Sequence, residues 1–159
     1  MDGAGLLRKH NGFSLIELLI VVAIILIIAA IAIPNLLKSR MAANESSAVG
    51  SVRTLNTAQI TYQNSCPATG FSATIGELSS GTTCAGGANI IDNVLGSGTK
   101  SGYTFSTLGK TGTPTTQYDT NASPLTLNVT GVRYFYSNET GVIRGNTGGA
   151  ASATSQALQ

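Results

Sequence analysis

A lone carboxylate, Glu17, stands near the start of an apolar stretch that reads GFSLIELLIVVAIILIIAAIAIP from Gly12 to Pro34. From Leu18 to Ile33 no side chain is polar. An ionised carboxylate in hydrocarbon costs about 3 kcal/mol or more, so a group in that position usually has a partner and a purpose. The chemistry open to Glu17 is therefore charge pairing; its plainer alternative is to lie at an interface and reach water. The rest of the chain offers little for catalysis. Its single histidine, His10, precedes the apolar run, so nothing downstream supplies the base that Ser-His or Cys-His nucleophilic catalysis requires. The acidic residues Glu45, Glu77, Asp92, Asp119 and Glu139 are scattered, and none falls in a metal-loop spacing. Cys66 and Cys84 are the two thiols, and their spacing is not that of a zinc site.

The element that must position Glu17 is a helix. An apolar run of roughly 20 residues is long enough to cross the hydrocarbon core of a bilayer. The basic pair Arg8 and Lys9 just before it belongs on the cytoplasmic side. Past Pro34 the helical pattern resumes: Met41, Ala48, Val52, Leu55 and Tyr62 recur at spacings near three, four or seven, on one face. One long helix is expected over about 13–64, roughly 75 Å at 1.5 Å per residue. Pro34 lacks an amide donor and crowds the carbonyl of Ala30, so a kink or melted turn is expected over 29–35.

The residues Gly12, Phe13, Glu17 and Pro34, in GFSLIELL followed by the apolar run, resemble the processing and assembly signal of type IV pilins and of the related pseudopilins of type II secretion. The resemblance implies that a prepilin peptidase/methyltransferase cuts between Gly12 and Phe13 and methylates the new N-terminus at Phe13. It also implies that Glu17 pairs with the N-terminus of a neighbouring copy during assembly. The physics is consistent with this. Cutting creates a cationic amine at Phe13, and two opposite charges that are each costly in a dry core offset one another when they meet. The partners so implied are the chain itself in a helical homopolymer, the processing enzyme, and inner-membrane pilus or secretion machinery. The place so implied is the bacterial inner membrane for the precursor, and a surface pilus or periplasm-spanning pseudopilus after assembly. No cofactor and no enzymatic activity are implied. A different reading of the same start is an ordinary secretory signal cut after Ala32, which would release a soluble binding module.

Residues 1–12 are thus read as a cleaved leader, 13–34 as the transmembrane and assembly helix, 35–145 as a globular domain and 146–159 as a flexible tail. Removing Asp2, Arg8 and Lys9 with the leader takes the formal charge from +2 to +1. No basic stripe points to nucleic acid. Export places Cys66 and Cys84 where disulfides persist. A bridge between them closes a loop of about 18 residues and contributes roughly 3 kcal/mol on the chain-entropy account. Beyond Cys66-Pro67, the pieces 75–78 and 90–95 read as helical turns. The segments 103–108, 125–129, 133–137 and 141–144 read as strands. A helix followed by strands joined by short links predicts an α+β fold: a long N-terminal helix on a small antiparallel sheet. The segment GYTF…YFYSNETGVIR is also similar to the sheet region of pilin-like proteins of the secretion-pseudopilin type. Type IVa pilins usually carry a disulfide near the C-terminus, whereas the cysteines here follow the helix directly.

Overall fold

The computed structural model describes residues 12–80, 89–110 and 112–158. The chain divides into two compact units, up to Leu37 and from Lys38 onward. Helix α1 runs from Leu15 to Ser65, 51 residues, and contributes to both.

In the first unit every described side chain from Gly12 to Leu37 is exposed except the half-buried Ala29. The sequence here is rich in Ile and Val, which in water favour strands. In an apolar solvent the helix prevails, because it satisfies every backbone group within its own segment. The stretch 29–35 remains helical, and the melted turn expected there does not form. Pro34 removes one amide, a small loss against the unbroken bonds on either side.

In the second unit α1 buries Glu45, Ala48, Val52, Leu55, Gln59 and Tyr62, a stripe at alternating spacings of three and four. Met41, expected on the same face, is half-buried. On the outer face Thr54, Thr57, Thr61 and Ser65 return their hydroxyls to the carbonyls four residues back. Two short helices, α2 (Ile75–Ser80) and α3 (Asn93–Gly96), follow. They approach so closely that a side chain at Gly96 would meet Ser79 at 2.3 Å.

The sheet has six strands in chain order, each antiparallel to the next: β1 Thr99–Lys100, β2 Tyr103–Gly109, β3 Tyr118–Pro124, β4 Tyr134–Asn138, β5 Arg144–Asn146 and β6 Gln156–Ala157. Tyr103, Phe105, Ala122 and Phe135 meet Ala48, Val52, Leu55 and Tyr62 of α1 in one core, so the fold is α+β as expected. A buried polar layer lies within the same helix–sheet contact. Gln59 accepts from the Ser72 amide at 2.9 Å and donates to Thr107 Oγ1 at 2.9 Å, and Thr107 in turn meets Thr120 across the sheet at 3.1 Å. Asn56 donates to Ser137 Oγ at 2.8 Å and accepts from the Tyr118 hydroxyl at 3.3 Å. Because buried amides and hydroxyls are expensive to leave unpaired, this layer admits one helix–sheet register.

Two further expectations are corrected. The segment 125–129 is a turn, not a strand: its three aliphatic side chains are exposed. The strand lies just before it, at β3, where Tyr118, Thr120 and Ala122 point inward. Its inner face includes a hydroxyl paired with Thr107, so it shows no apolar alternation. Residues 146–158, read as a flexible tail, carry β6 and pack back: Leu158 donates its amide to Ile143 and lies against the core, and Arg144 donates to the Ser155 carbonyl.

Candidate processing and assembly site

The residues expected to carry processing and assembly lie together at the start of the first unit. Among the described residues nothing lies within 4 Å of where a side chain on Gly12 would begin. Phe13 is 75% exposed. The Ser14 carbonyl accepts the Leu18 amide at 3.2 Å, which places Ser14 at the cap of the helix and Glu17 in its first turn. There the unpaired amides of the helix end favour a negative side chain. Among the described residues Glu17 forms no ion pair within the chain. An amine formed at Phe13 would stand about one helical turn, roughly 5 Å, from the Glu17 position along the axis. The geometry offers an exposed backbone at Gly12-Phe13, a carboxylate one turn beyond, and an apolar helix with its side chains unburied behind both.

Cys66, just past the end of α1, is buried and is not a free thiol; Cys84 lies outside the described residues. Among the described residues no three of His, Cys, Asp and Glu gather to hold a metal. Asp119, the one acid of the 109–123 segment, is engaged by Lys110 at 3.1 Å and by the Tyr136 hydroxyl. Burial, with Asp119 beside it, pushes that phenol up to about 12. Tyr103 is also pushed up, first by burial and then by Glu45, so its hydroxyl stays protonated and donates to the Arg133 carbonyl.

Sequence reasoning left Glu45 among the scattered acids, yet it is a principal tie between helix and sheet. Its Oε1 accepts the amides of Val132 and Arg133 at 2.8 and 3.2 Å, and Oε2 accepts Arg133 Nε at 2.8 Å. The signal was present in its position: a charge three residues before Ala48, on the buried stripe, must have a partner. Burial pushes the Glu45 carboxyl up, but the Val132 amide and the Arg133 guanidinium and amide outweigh it and hold it below its ordinary 4.5. With the folded value below the unfolded one, the carboxylate's contribution is complete above the unfolded pKa and is lost as pH falls through the folded one. Arg133 is nearly half exposed, so solvent screens its share and the two amides carry most of it. Glu45→Ala is expected to lower stability by about 2 kcal/mol at neutral pH. In denaturant unfolding the deficit should narrow as pH drops below the ordinary carboxylate range; a deficit independent of pH would count against a charged role.

Residues 7–33 match the family model described as the prokaryotic N-terminal methylation motif. Over 54 residues the chain is 50% identical to the type IV major pilin protein PilA of Myxococcus xanthus, which covers 34% of this chain and 24% of that protein. Over 40 residues it is 60% identical to the type IV wide pilus major component PilA4 of Thermus thermophilus, covering 25% of this chain and 30% of that one. The matched segment thus spans about a quarter to a third of the length of these curated relatives. No solved structure matches the chain. The N-terminal segment carries the methylation motif and is similar to the corresponding segments of these two pilus components.

Proposed function

We propose that this chain is the structural subunit of a helical type IV pilus-like filament, cut between Gly12 and Phe13, methylated at Phe13 and polymerised through the apolar part of α1. The observation that carries this reading is a helix whose apolar side chains are unburied from Leu15 to Leu37 and which opens, within the matched motif, on Gly12, Phe13 and Glu17. Exposure of that kind has two natural resolutions, lipid before assembly and neighbouring helices after it. Transfer from the first to the second leaves the apolar surface dry throughout. Glu17 sets the register, because an incoming subunit docks where its Phe13 amine finds a carboxylate. Pro34 is where the helix yields as subunits pack. Its partners are copies of itself, the prepilin peptidase/methyltransferase and the inner-membrane assembly machinery.

Both relatives are pilus components by name, which supports a pilus over the pseudopilus of a secretion system. The match of residues 7–33 to the methylation motif supports this reading over release after Ala32. Mass spectrometry of the protein recovered from cells tests it. A mature chain beginning at methylated Phe13 is expected; one beginning at Ile33 would overturn the proposal.

The same reading places the globular domain outside the cytoplasm, where a bridge from Cys66 to Cys84 holds the segment after the helix to the helix end. Thiol labelling of denatured, unreduced protein is expected to find no reactive cysteine, and two labelled thiols would refute the bridge.

A further inference from the structure

Four stretches of the chain follow the pattern Asn-x-Ser or Asn-x-Thr: Asn44-Glu45-Ser46, Asn121-Ala122-Ser123, Asn128-Val129-Thr130 and Asn138-Glu139-Thr140. The pattern marks an asparagine that can accept a sugar when it lies on a surface loop of an exported protein. In a chain rich in Ser, Thr and Asn the pattern alone decides nothing. The fold separates the four.

Transfer to such a site requires an enzyme to hold the carboxamide and the hydroxyl two residues on at the same time. On α1, Asn44 and Ser46 lie about 200° apart around the axis and face away from each other. Asn44 is also tied to the Thr130 carbonyl at 2.9 Å. Asn121 and Ser123 share a face of β3, but Asn121 is paired with Ser106 on one side and Tyr136 on the other, so nothing can close round it. Asn128 is exposed, yet Thr130 spends its hydroxyl locally. Its Oγ1 accepts the Thr126 amide and donates to the Thr126 carbonyl, both at 3.1 Å.

Asn138-Glu139-Thr140 differs on each count. It opens the turn that links β4 to β5, where Glu139, Thr140, Gly141 and Val142 are all exposed. The Gly141 amide donates to the Asn138 carbonyl at 2.8 Å and closes the turn. Thr140 brings both of its donors to one atom. Its Oγ1 donates to Asn138 Oδ1 at 2.6 Å, and its amide donates to the same oxygen at 3.2 Å. Hydroxyl and carboxamide are thus already together on an exposed turn. The chemistry gains from this. An amide nitrogen is a poor nucleophile because its lone pair is shared with the carbonyl. When a base takes a proton from Nδ2, the negative charge that develops settles largely on Oδ1. Donors already aimed at that oxygen stabilise the charge where it appears.

We propose that Asn138 is an N-glycosylation site, with an oligosaccharide carried on a lipid diphosphate as the co-substrate. Nδ2 attacks the anomeric carbon. The bond from that carbon to the diphosphate oxygen breaks, and the lipid diphosphate leaves with the bonding pair. The Nδ2 proton passes to a base of the transferring enzyme, and nothing is oxidised or reduced. Asn138 takes no part in the hydrophobic core, so the fold accommodates the addition. The site rests on the reading of the second unit as exported.

Trypsin cuts after Arg133 and Arg144, which releases residues 134–144 as YFYSNETGVIR, a peptide holding Asn138 and none of the other three sites. Mass spectrometry of a digest of the full-length protein from its own cells is the measurement. The expected result is 134–144 heavier by a whole number of sugar residues, with fragment ions that place them on Asn138. Peptides with Asn44, Asn121 and Asn128 should keep their plain masses. Asn138→Gln and Thr140→Ala should each abolish the added mass, whereas Thr140→Ser, which keeps the hydroxyl, should retain it. A wild-type 134–144 wholly at its plain mass overturns the proposal. So does sugar that survives Asn138→Gln, since it would sit on the hydroxyl of Ser137 or Thr140. Sugar on Asn44, Asn121 or Asn128 in place of Asn138 overturns it as well. The N-terminal peptide of the same digest keeps the outcome apart from that of processing. A methylated Phe13 start with plain 134–144 leaves processing standing and removes the site alone. Modified 134–144 on a chain that starts elsewhere keeps the site and removes the processing.

Discussion

Glu17→Gln protein is expected to be made, cut after Gly12 and held in the membrane, yet to yield few or no filaments. The side chain is exposed in the isolated subunit and forms no ion pair there among the described residues, so its loss removes no internal tie. Membrane residence should become slightly easier, since one charge leaves hydrocarbon. The penalty falls at assembly. Each Phe13 amine would be buried without a counter-charge, about 3–5 kcal/mol per subunit by the measure of broken buried pairs. That deficit recurs with every subunit added, so a modest loss per contact becomes failure of the whole polymer. Glutamine is a sharper probe than alanine because it keeps the shape and can still accept a hydrogen bond. Filament yield after shearing, set against total mature subunit by immunoblot, is the measurement. Normal yield would show that charge pairing at Glu17 does not register the subunits.

The second large effect is expected at the cut itself. Gly12→Val should leave the precursor uncut in the membrane, with mature subunit essentially absent. Among the described residues the space around Gly12 is open, so valine meets no clash there and the described fold is untouched. What the branched side chain obstructs is the peptidase. A glycine lets another protein's backbone close tightly over the bond, and a branched β-carbon does not. Mass analysis of the membrane fraction distinguishes the two species. Mature protein of normal mass from Gly12→Val would show that the enzyme does not read this residue. Paired with Glu17→Gln, the two variants separate processing from polymerisation: one stops before the amine exists, the other after.

Where the hydrophobic pattern carried the information, the fold was legible in the sequence. The apolar run, the stripe through Ala48, Val52, Leu55 and Tyr62, and the alternation at Tyr103, Phe105 and Thr107 all lead to the elements observed. Errors arose where polar groups do the inward packing. The inner side of β3 is Tyr118, Thr120 and Ala122, and its hydroxyl is acceptable in the core only because Thr107 stands opposite, a fact of pairing that no single segment displays. The clean alternation of 125–129 misled for the converse reason, since its apolar residues face outward. Residues 146–158 have too few apolar positions to show a period, and backbone pairing with β5 fastens them. At the candidate site the motif residues were legible because they are contiguous. Glu45 was not, because its partners Val132 and Arg133 lie nearly ninety positions away.

The two outermost strands of the sheet, β1 and β6, are only two residues long. A long bare strand at a sheet margin is a template onto which a second chain can add. In the proposed filament, where copies crowd side by side at high local concentration, such a margin would compete with the ordered route into a fibre. The β6 margin offers a visiting strand too few backbone groups to hold it. Lateral β-addition at that margin is thereby suppressed, which suits the proposed polymer built through helix contacts. Lengthening β6 with a few alternating β-branched residues should therefore trade orderly filaments for amorphous, thioflavin-positive aggregates.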